Sequence, residues 1–328
     1  MTSRATTAPS AFAPRRRTET VTSTPEIAIL CVTHGRPTLV AKCLASCAAQ
    51  RHPNFEIVVI VNPVDAETEA AVRAAAPAAR VIRTHRNIGF FPALNLALAN
   101  TDATYVMIVD DDAWFVADDA LDALVSEFKQ APELGAVTCN LEGPTETPIS
   151  GGDRYIRAFT TGFTMMPRKV ASEWVGYFPD LFFRSAGETF LCTKLWEQKR
   201  PVKRVEGVRM YHALAAQGRS SRDWLFHGLR SQLLCAVIRE PTTYLLPVLA
   251  SKFLRSFIFY GRKRALGIWL HAWFSFLTLI PAAVRLRAPI STETRRLLQR
   301  LDASIVRDLA ACPEWRPVRA MVREPSGP

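Results

Sequence analysis

Between residues 26 and 140, short runs of branched apolar residues alternate with longer stretches whose apolar positions recur every three or four residues. The short runs predict buried strands over Ile27–Val32, Phe55–Val61, Arg80–Arg83, Tyr105–Val109 and Ala136–Cys139. The longer stretches predict helices over 38–50, where Leu39, Cys43 and Leu44 share a face, and over the Ala/Glu-rich 65–76. Two more are predicted over 92–100, started by Pro92, and over 118–130. Strands alternating with helices define an α/β class with a parallel sheet covered on both faces. Such sheets bind ligands beyond the carboxyl ends of their strands, so the turns after Val32, Val61 and Val109 should share one rim. That arrangement brings together Thr33, Asn62 and the run Asp110-Asp111-Asp112.

Downstream, 141–160 reads as a loop turning at Gly151-Gly152, 161–212 as short strands mixed with helices, and 218–239 as an amphipathic helix. Beyond Glu240 the pattern changes to long apolar stretches broken by Arg and Lys. Leu266–Val284 contains no Asp, Glu, Lys or Arg, which is near the minimum length for a bilayer span. Pro281 and the charge on both flanks favour a helix lying in the interface instead, with Trp269, Trp273 and Phe276 at the headgroup level. A buried helix pair and a true span are the alternatives.

Charge separates the same regions. The net charge is +11, but 241–328 carries 14 Lys/Arg against 5 Asp/Glu and 1–25 carries 4 Arg against 1 Glu, leaving the middle nearly neutral. Basic ends around a neutral body predict an anionic membrane surface as partner. Nucleic acid is not expected, because no aromatic-basic binding module is recognisable. Residues 1–25 read as a disordered basic tail with no apolar run of signal-peptide length. The domains expected are therefore this tail, a body over 26–240, and a helical, membrane-associating extension over 241–328. The seven cysteines are scattered and form no CxxC pair, so buried free thiols in a reducing cytosol are expected.

Three consecutive carboxylates at the end of a buried strand repel one another unless something neutralises them. A hard divalent cation does so with one or two protein carboxylates, its remaining positions going to substrate phosphate and water. On an extended chain Asp110 and Asp112 point the same way and Asp111 faces away. A solvated acidic loop is the plainer explanation of the same tripeptide.

Several segments, in order, resemble the inverting glycosyltransferases of family 2, which have the GT-A fold, and are similar to its rhamnosyl- and galactofuranosyltransferase type. Ile27-Ala-Ile-Leu-Cys-Val-Thr-His-Gly-Arg-Pro37 is similar to the family's first strand and turn, and Asn54–Ile60 to its second strand. Asn87-Ile-Gly-Phe-Phe-Pro-Ala-Leu-Asn95 is similar to the element beside the donor phosphates. Asp110 and Asp112 fall on the Asp-x-Asp motif, while Thr161-Gly162-Phe163 and Met210-Tyr211-His212 are similar to acceptor-side elements. The resemblance implies that Asp110, Asp112 and His212 bind Mn²⁺ or Mg²⁺. It implies donor contacts from Thr33, Arg36, Asn62, Asn87, Gly89, Asn95 and Asp111, with loop and helix-capping roles as the alternative for Asn87 and Asn95. Glu188 falls on the position of the general base, with Gly187 and Phe190 replacing flanking acids of the family pattern. Two further departures are Val61, where an Asp reads the nucleotide base (Asn62 or Asp65 being possible substitutes), and Leu94, where an Arg is usual.

The function implied is metal-dependent transfer of a sugar from a nucleotide-diphosphate sugar to a glycan or lipid-linked acceptor, at the inner face of a bacterial cell membrane. A nucleotidyltransferase would need a Gly-rich phosphate loop or an activating Lys near the first strand, and the sequence has neither. A non-catalytic glycan-binding or scaffolding member of the same fold is the other alternative.

Overall fold

The computed structural model describes residues 24–171, 178–215 and 220–315. The tail expected over 1–25 lies outside the described residues, apart from its last two positions, and so does 316–328 of the expected extension.

The chain opens with β1 (Ile27–Thr33), α1 (Pro37–Ala48), β2 (Phe55–Val61), α2 (Ala66–Ala75), β3 (Arg80–Arg83), α3 (Phe90–Leu98) and β4 (Tyr105–Asp110). These four strands are parallel, in the order β3-β2-β1-β4. Pro37 starts α1, and Asp65 caps α2 by accepting from the Thr68 amide at 3.0 Å. Along β1, Ile27, Ile29 and Cys31 join the core under α1, α2 and α4 (Ala120–Gln130), whereas Ala28 and Leu30 join the core under α3. Both faces of the strand are therefore apolar, as a covered parallel sheet requires.

Beyond β4 the sheet departs from the all-parallel expectation. β5 (Ala113–Phe115), β6 (Ala136–Glu142), β7 (Arg154–Tyr155), β8 (Phe163–Pro167) and β9 (Val202–His212) extend it in the order β4-β8-β6-β9-β5, with β7 also paired to β9. β8 is antiparallel to β4 and β6, β9 is parallel to β6, and β5 and β7 are antiparallel to β9. The physical reason is that Asp111-Asp112 turn directly into β5, and the loop from β6 to β8 contains no helix. Parallel neighbours need a crossover connection, and antiparallel ones do not.

The second face of the sheet carries α5 (Gly187–Glu197), α6 (Ser221–Arg239), α7 (Thr242–Arg262), α8 (Leu266–Arg285) and α9 (Thr292–Ala303). One continuous hydrophobic cluster joins α3, α5, α6, α8 and α9 to that face. In α8, Trp269, Ala272, Phe276 and Ala283 are buried, while Leu270, Phe274 and Leu277 are 61%, 67% and 55% exposed. Two aromatic residues expected at a headgroup level, Trp269 and Phe276, thus face the protein, because α6 occupies that side of the helix. Arg287 also turns inward: it donates to the carbonyls of Val237 and Glu240, tying the end of α8 to the end of α6. Among the described residues α8 is the one helix long and apolar enough to cross a membrane. All seven cysteines are buried and unpaired.

Candidate active site

Register sets the first part of the site. Thr33 lies opposite Val61, and Val32 opposite Asp110, so the ends of β1, β2 and β4 are level. The Asn62 amide donates to the Thr33 carbonyl at 2.9 Å. Thr33 Oγ1 donates to Asp111 Oδ2 at 2.9 Å, and Arg36 Nη1 donates to Asp111 Oδ1 at 2.8 Å. Arg36 Nη1 is also 3.4 Å from Asp112 Oδ2, which accepts from the Ala215 amide at 3.0 Å. Asp111 therefore points inward to Thr33 and Arg36, not away, because Asp111-Asp112 form a turn and strand alternation stops at Asp110. Burial raises the Asp111 carboxyl pKa, and the Arg36 guanidinium opposes the shift.

The antiparallel pairing of β5 with β9 sets Ala113 opposite His212 and delivers the imidazole to the aspartates. Ligand atoms of Asp110, Asp112 and His212 all lie within 4.8 Å of one another. His212 Nδ1 is 3.2 Å from Glu146 Oε1, which orients the ring. Its Nε2 is buried, has no hydrogen-bond partner among the described residues, and lies 3.6 Å from Asp112 Oδ1. A buried imidazole nitrogen aimed at carboxylates, with its other nitrogen held by an acid, is the arrangement of a metal-ligating histidine. Two carboxylates and an imidazole suit a divalent cation that keeps positions open to phosphate and water. Gly162 leaves the necessary space, since a Cβ there would collide with the Asp110 carboxylate. The segment 161–163, anticipated on the acceptor side, thus stands against the carboxylates.

Thr33, Arg36, Asp110, Asp111 and His212 line a cavity of about 320 Å³ together with Asn62, Asn87, Gly89, Thr161 and Glu188. Asn62 reaches the cavity wall but its amide is internally engaged. Its Oδ1 accepts from Thr84 Oγ1 and the Ile88 amide, both at 2.9 Å, and its Nδ2 donates to the Gly89 carbonyl at 3.1 Å and to Asn87 Oδ1 at 3.3 Å. Asn87 Oδ1 also accepts from the Gly89 amide at 2.9 Å. Asn95 does not line this cavity: from within α3 it donates to the Phe178 carbonyl at 2.7 Å and accepts from the Phe178 amide at 3.0 Å. Leu94 is fully buried in the core, and Asp65 is the α2 cap.

Glu188 sits in the first turn of α5, where the helix N-terminus favours an acid. Ser185 and Ala186, immediately before the helix, have φ of 65° and 63°. Two successive non-glycine residues in the left-handed region cost about 1–3 kcal/mol each and persist where surrounding packing enforces them. Gly187 is required by close approach, because a Cβ would strike the Phe91 ring. The acid replaced at 187 is thus excluded by packing of α5 on α3. Burial raises the Glu188 carboxyl pKa. On its far side lies a second cavity, of about 1040 Å³, between α5, α6, α7 and α9. Ser185, Glu188 and Trp224 line both cavities. Sequence reasoning missed Trp224 and Glu146. Trp224 is 52% exposed near the start of α6, where periodicity cannot separate a rim aromatic from a core one; Glu146 lies in a loop without a readable pattern.

Residues 28–179 match the family model described as Glycosyl transferase family 2. Among solved structures, S. aureus TarS 1-349 in complex with UDP-GlcNAc is 16% identical, with a TM-score of 0.58 over 85% of this chain and 87% of that one. The mannosyltransferase PcManGT from Pyrobaculum calidifontis, in complex with GDP-Man and Mn²⁺, is 19% identical, with a TM-score of 0.55 over 86% and 85%. GalNAc-T7 with UDP, GalNAc and Mn²⁺ is 13% identical, with a TM-score of 0.56 over 67% and 49%. No curated protein sequence matches the chain significantly. The chain is a glycosyltransferase: it has the GT-A fold and carries a family 2 domain over the matched segment.

Proposed function

We propose that the protein moves a sugar from a nucleotide-diphosphate sugar to an acceptor hydroxyl by direct displacement with inversion. The observation that carries this reading is the position of Glu188, a half-buried carboxylate on the wall shared by the two cavities. A donor in the smaller cavity and an acceptor in the larger one would meet at its side chain. Glu188 takes the proton of the acceptor hydroxyl as that oxygen attacks the anomeric carbon, and burial keeps the carboxyl basic enough to accept it. Asp110, Asp112 and His212 would hold Mn²⁺ or Mg²⁺, which when bound supplies positive charge to the departing diphosphate. Thr33 and Arg36 fix Asp111 on the nucleotide side, and Asn62 braces the Asn87–Gly89 turn that borders the donor. The ligands in complex with the similar structures, UDP-GlcNAc and GDP-Man, agree with a donor of this class.

The setting we infer is the inner face of a bacterial membrane, during assembly of a surface polysaccharide or glycolipid. What supports it is the exposure of large apolar side chains on both α7 and α8. Leu246 and Leu254 of α7 are 77% and 60% exposed, Leu270 and Phe274 of α8 are 61% and 67% exposed, and Arg262, Lys263 and Arg264 lie at the turn between the helices. Such exposure suits shallow insertion with cations on anionic headgroups.

Calorimetric titration with UDP, dTDP and GDP, each with Mn²⁺ and with EDTA, tests the donor reading. Tight binding of a nucleotide only with metal is expected; a folded protein that binds none of them overturns it.

A further inference from the structure

The larger cavity has a charge imbalance. Arg239 has 5% exposure, yet among the described residues its hydrogen bonds go to backbone carbonyls alone: Nη1 to Ala288 at 2.7 Å and Nη2 to Phe190 at 3.5 Å. Its Nε has no hydrogen-bond partner among the described residues, and its guanidinium stands 4.8 Å from the Phe190 ring. Lys252 donates to the neutral Gln232 Oε1 at 3.4 Å, and Arg255 lies one turn further along α7. Among the described residues no carboxylate pairs with any of these three cations. Arg295 and Arg157, on the same walls, are matched by Glu240 at 3.0 Å and Asp302 at 2.5 Å.

Burial lowers the pKa of Arg239 to about 10 and also lowers that of Lys252, so the cost of holding these cations out of water is real, while the guanidinium stays charged at neutral pH. An uncompensated buried cation is costly, and a ligand that supplies the opposite charge offsets that cost. The cavity volume, about 1040 Å³, is enough for a ligand of two or more sugar units.

We propose that this cavity is the acceptor site and that it takes an acceptor carrying an anionic group, phosphate or carboxylate, held by Arg239, Lys252 and Arg255 while the reacting hydroxyl reaches Glu188. The proposal rests on the transferase reading above and adds the acceptor's chemical class. Trp224, exposed at the junction of the cavities, offers a ring face for a sugar between the anionic group and the hydroxyl.

The test uses the full chain in EDTA, so that metal-bound phosphate does not contribute. Decyl phosphate, decyl glucoside and inorganic phosphate are titrated below micellar concentrations. Decyl phosphate should bind about tenfold or more tighter than decyl glucoside, and Lys252→Gln/Arg255→Gln should weaken it about tenfold, as expected for a lost charge-assisted contact. Binding of inorganic phosphate as well would indicate a soluble anionic acceptor; binding of decyl phosphate alone would indicate an amphiphilic one. Equal binding of the phosphate and the glucoside by the wild type overturns the proposal, and this comparison needs no variant. Undiminished binding of decyl phosphate by the folded double variant overturns it too. Nucleotide titration with Mn²⁺ is an independent readout: its failure would sink the transferase reading and leave the anion result standing.

Discussion

Gly162 and Asp110 fit together so closely that no side chain can stand at position 162. The Gly162 carbonyl accepts from the Asp110 amide at 3.2 Å, and a Cβ at 162 would occupy the space of the Asp110 carboxylate. Gly162→Ala should therefore displace Asp110 and lower metal-dependent nucleotide affinity about tenfold or more, with little loss of thermal stability, since Asp110 is only partly buried. Calorimetry with Mn²⁺ reads the effect; wild-type affinity would show that Asp110 is not a ligand.

Asp112 carries more of the structure. It is fully buried, lies 3.4 Å from Arg36 and accepts from the Ala215 amide. Asp112→Ala should abolish metal-dependent donor binding and also destabilise the fold by about 3–5 kcal/mol, because Arg36 loses part of its compensation. Asp112→Asn should preserve most of the stability and still lose the metal. Denaturant titration alongside Mn²⁺ binding separates the two effects, and an Asn variant with normal metal dependence would contradict the assignment.

Glu188→Gln should leave nucleotide binding intact and stop transfer. The folded-state pKa of Glu188 is raised by burial, so the native state retains this proton to higher pH than the unfolded chain does. Its contribution to stability is complete at low pH and is lost as pH rises through the folded pKa. The Gln variant should accordingly gain melting temperature over the wild type, more at pH 8 than at pH 5, while losing activity. In the wild type, transfer should fall on acidification at a pH above the usual glutamate range. Normal turnover by Glu188→Gln would place the base elsewhere.

His227 gives a second pH signature, of opposite sign. Its ring stacks on Phe183 with centroids 4.6 Å apart, and Arg230 Nη2 donates to its Nδ1 at 3.0 Å. Burial first, then Arg230 and Arg184, hold its pKa at about 4 against an ordinary 6.5. Between these values the unfolded chain takes up a proton that the folded protein does not, so stability falls as pH drops from about 6.5 towards 4. His227→Phe should flatten that slope in urea midpoints measured against pH; an unchanged slope would assign it to other groups.

Leu254→Glu combined with Phe274→Glu should reduce sedimentation with phosphatidylglycerol vesicles severalfold, because both apolar side chains lie mostly exposed. Unreduced sedimentation would remove α7 and α8 as the attachment surface.

Much of this was legible in the chain itself. β-Branched runs and helical periodicity mark β1 to β4 and α1 to α4 to within about two residues, because local propensity and burial on both sheet faces point the same way there. The aspartates at the end of a predicted strand, with Thr33 and Asn62 on neighbouring ends, follow from strand order alone. What tertiary structure decided are the non-local pairings. His212 reaches Asp112 only because β9 pairs with β5, and Asp111 turns inward only because the chain reverses into that strand. Asn95 is drawn away to Phe178, and the cations of α6 and the extension divide between backbone carbonyls, carboxylates and an open cavity. Charge and periodicity describe a residue by its neighbours along the chain; which of those cations lacks an opposite charge depends on what folding brings beside it.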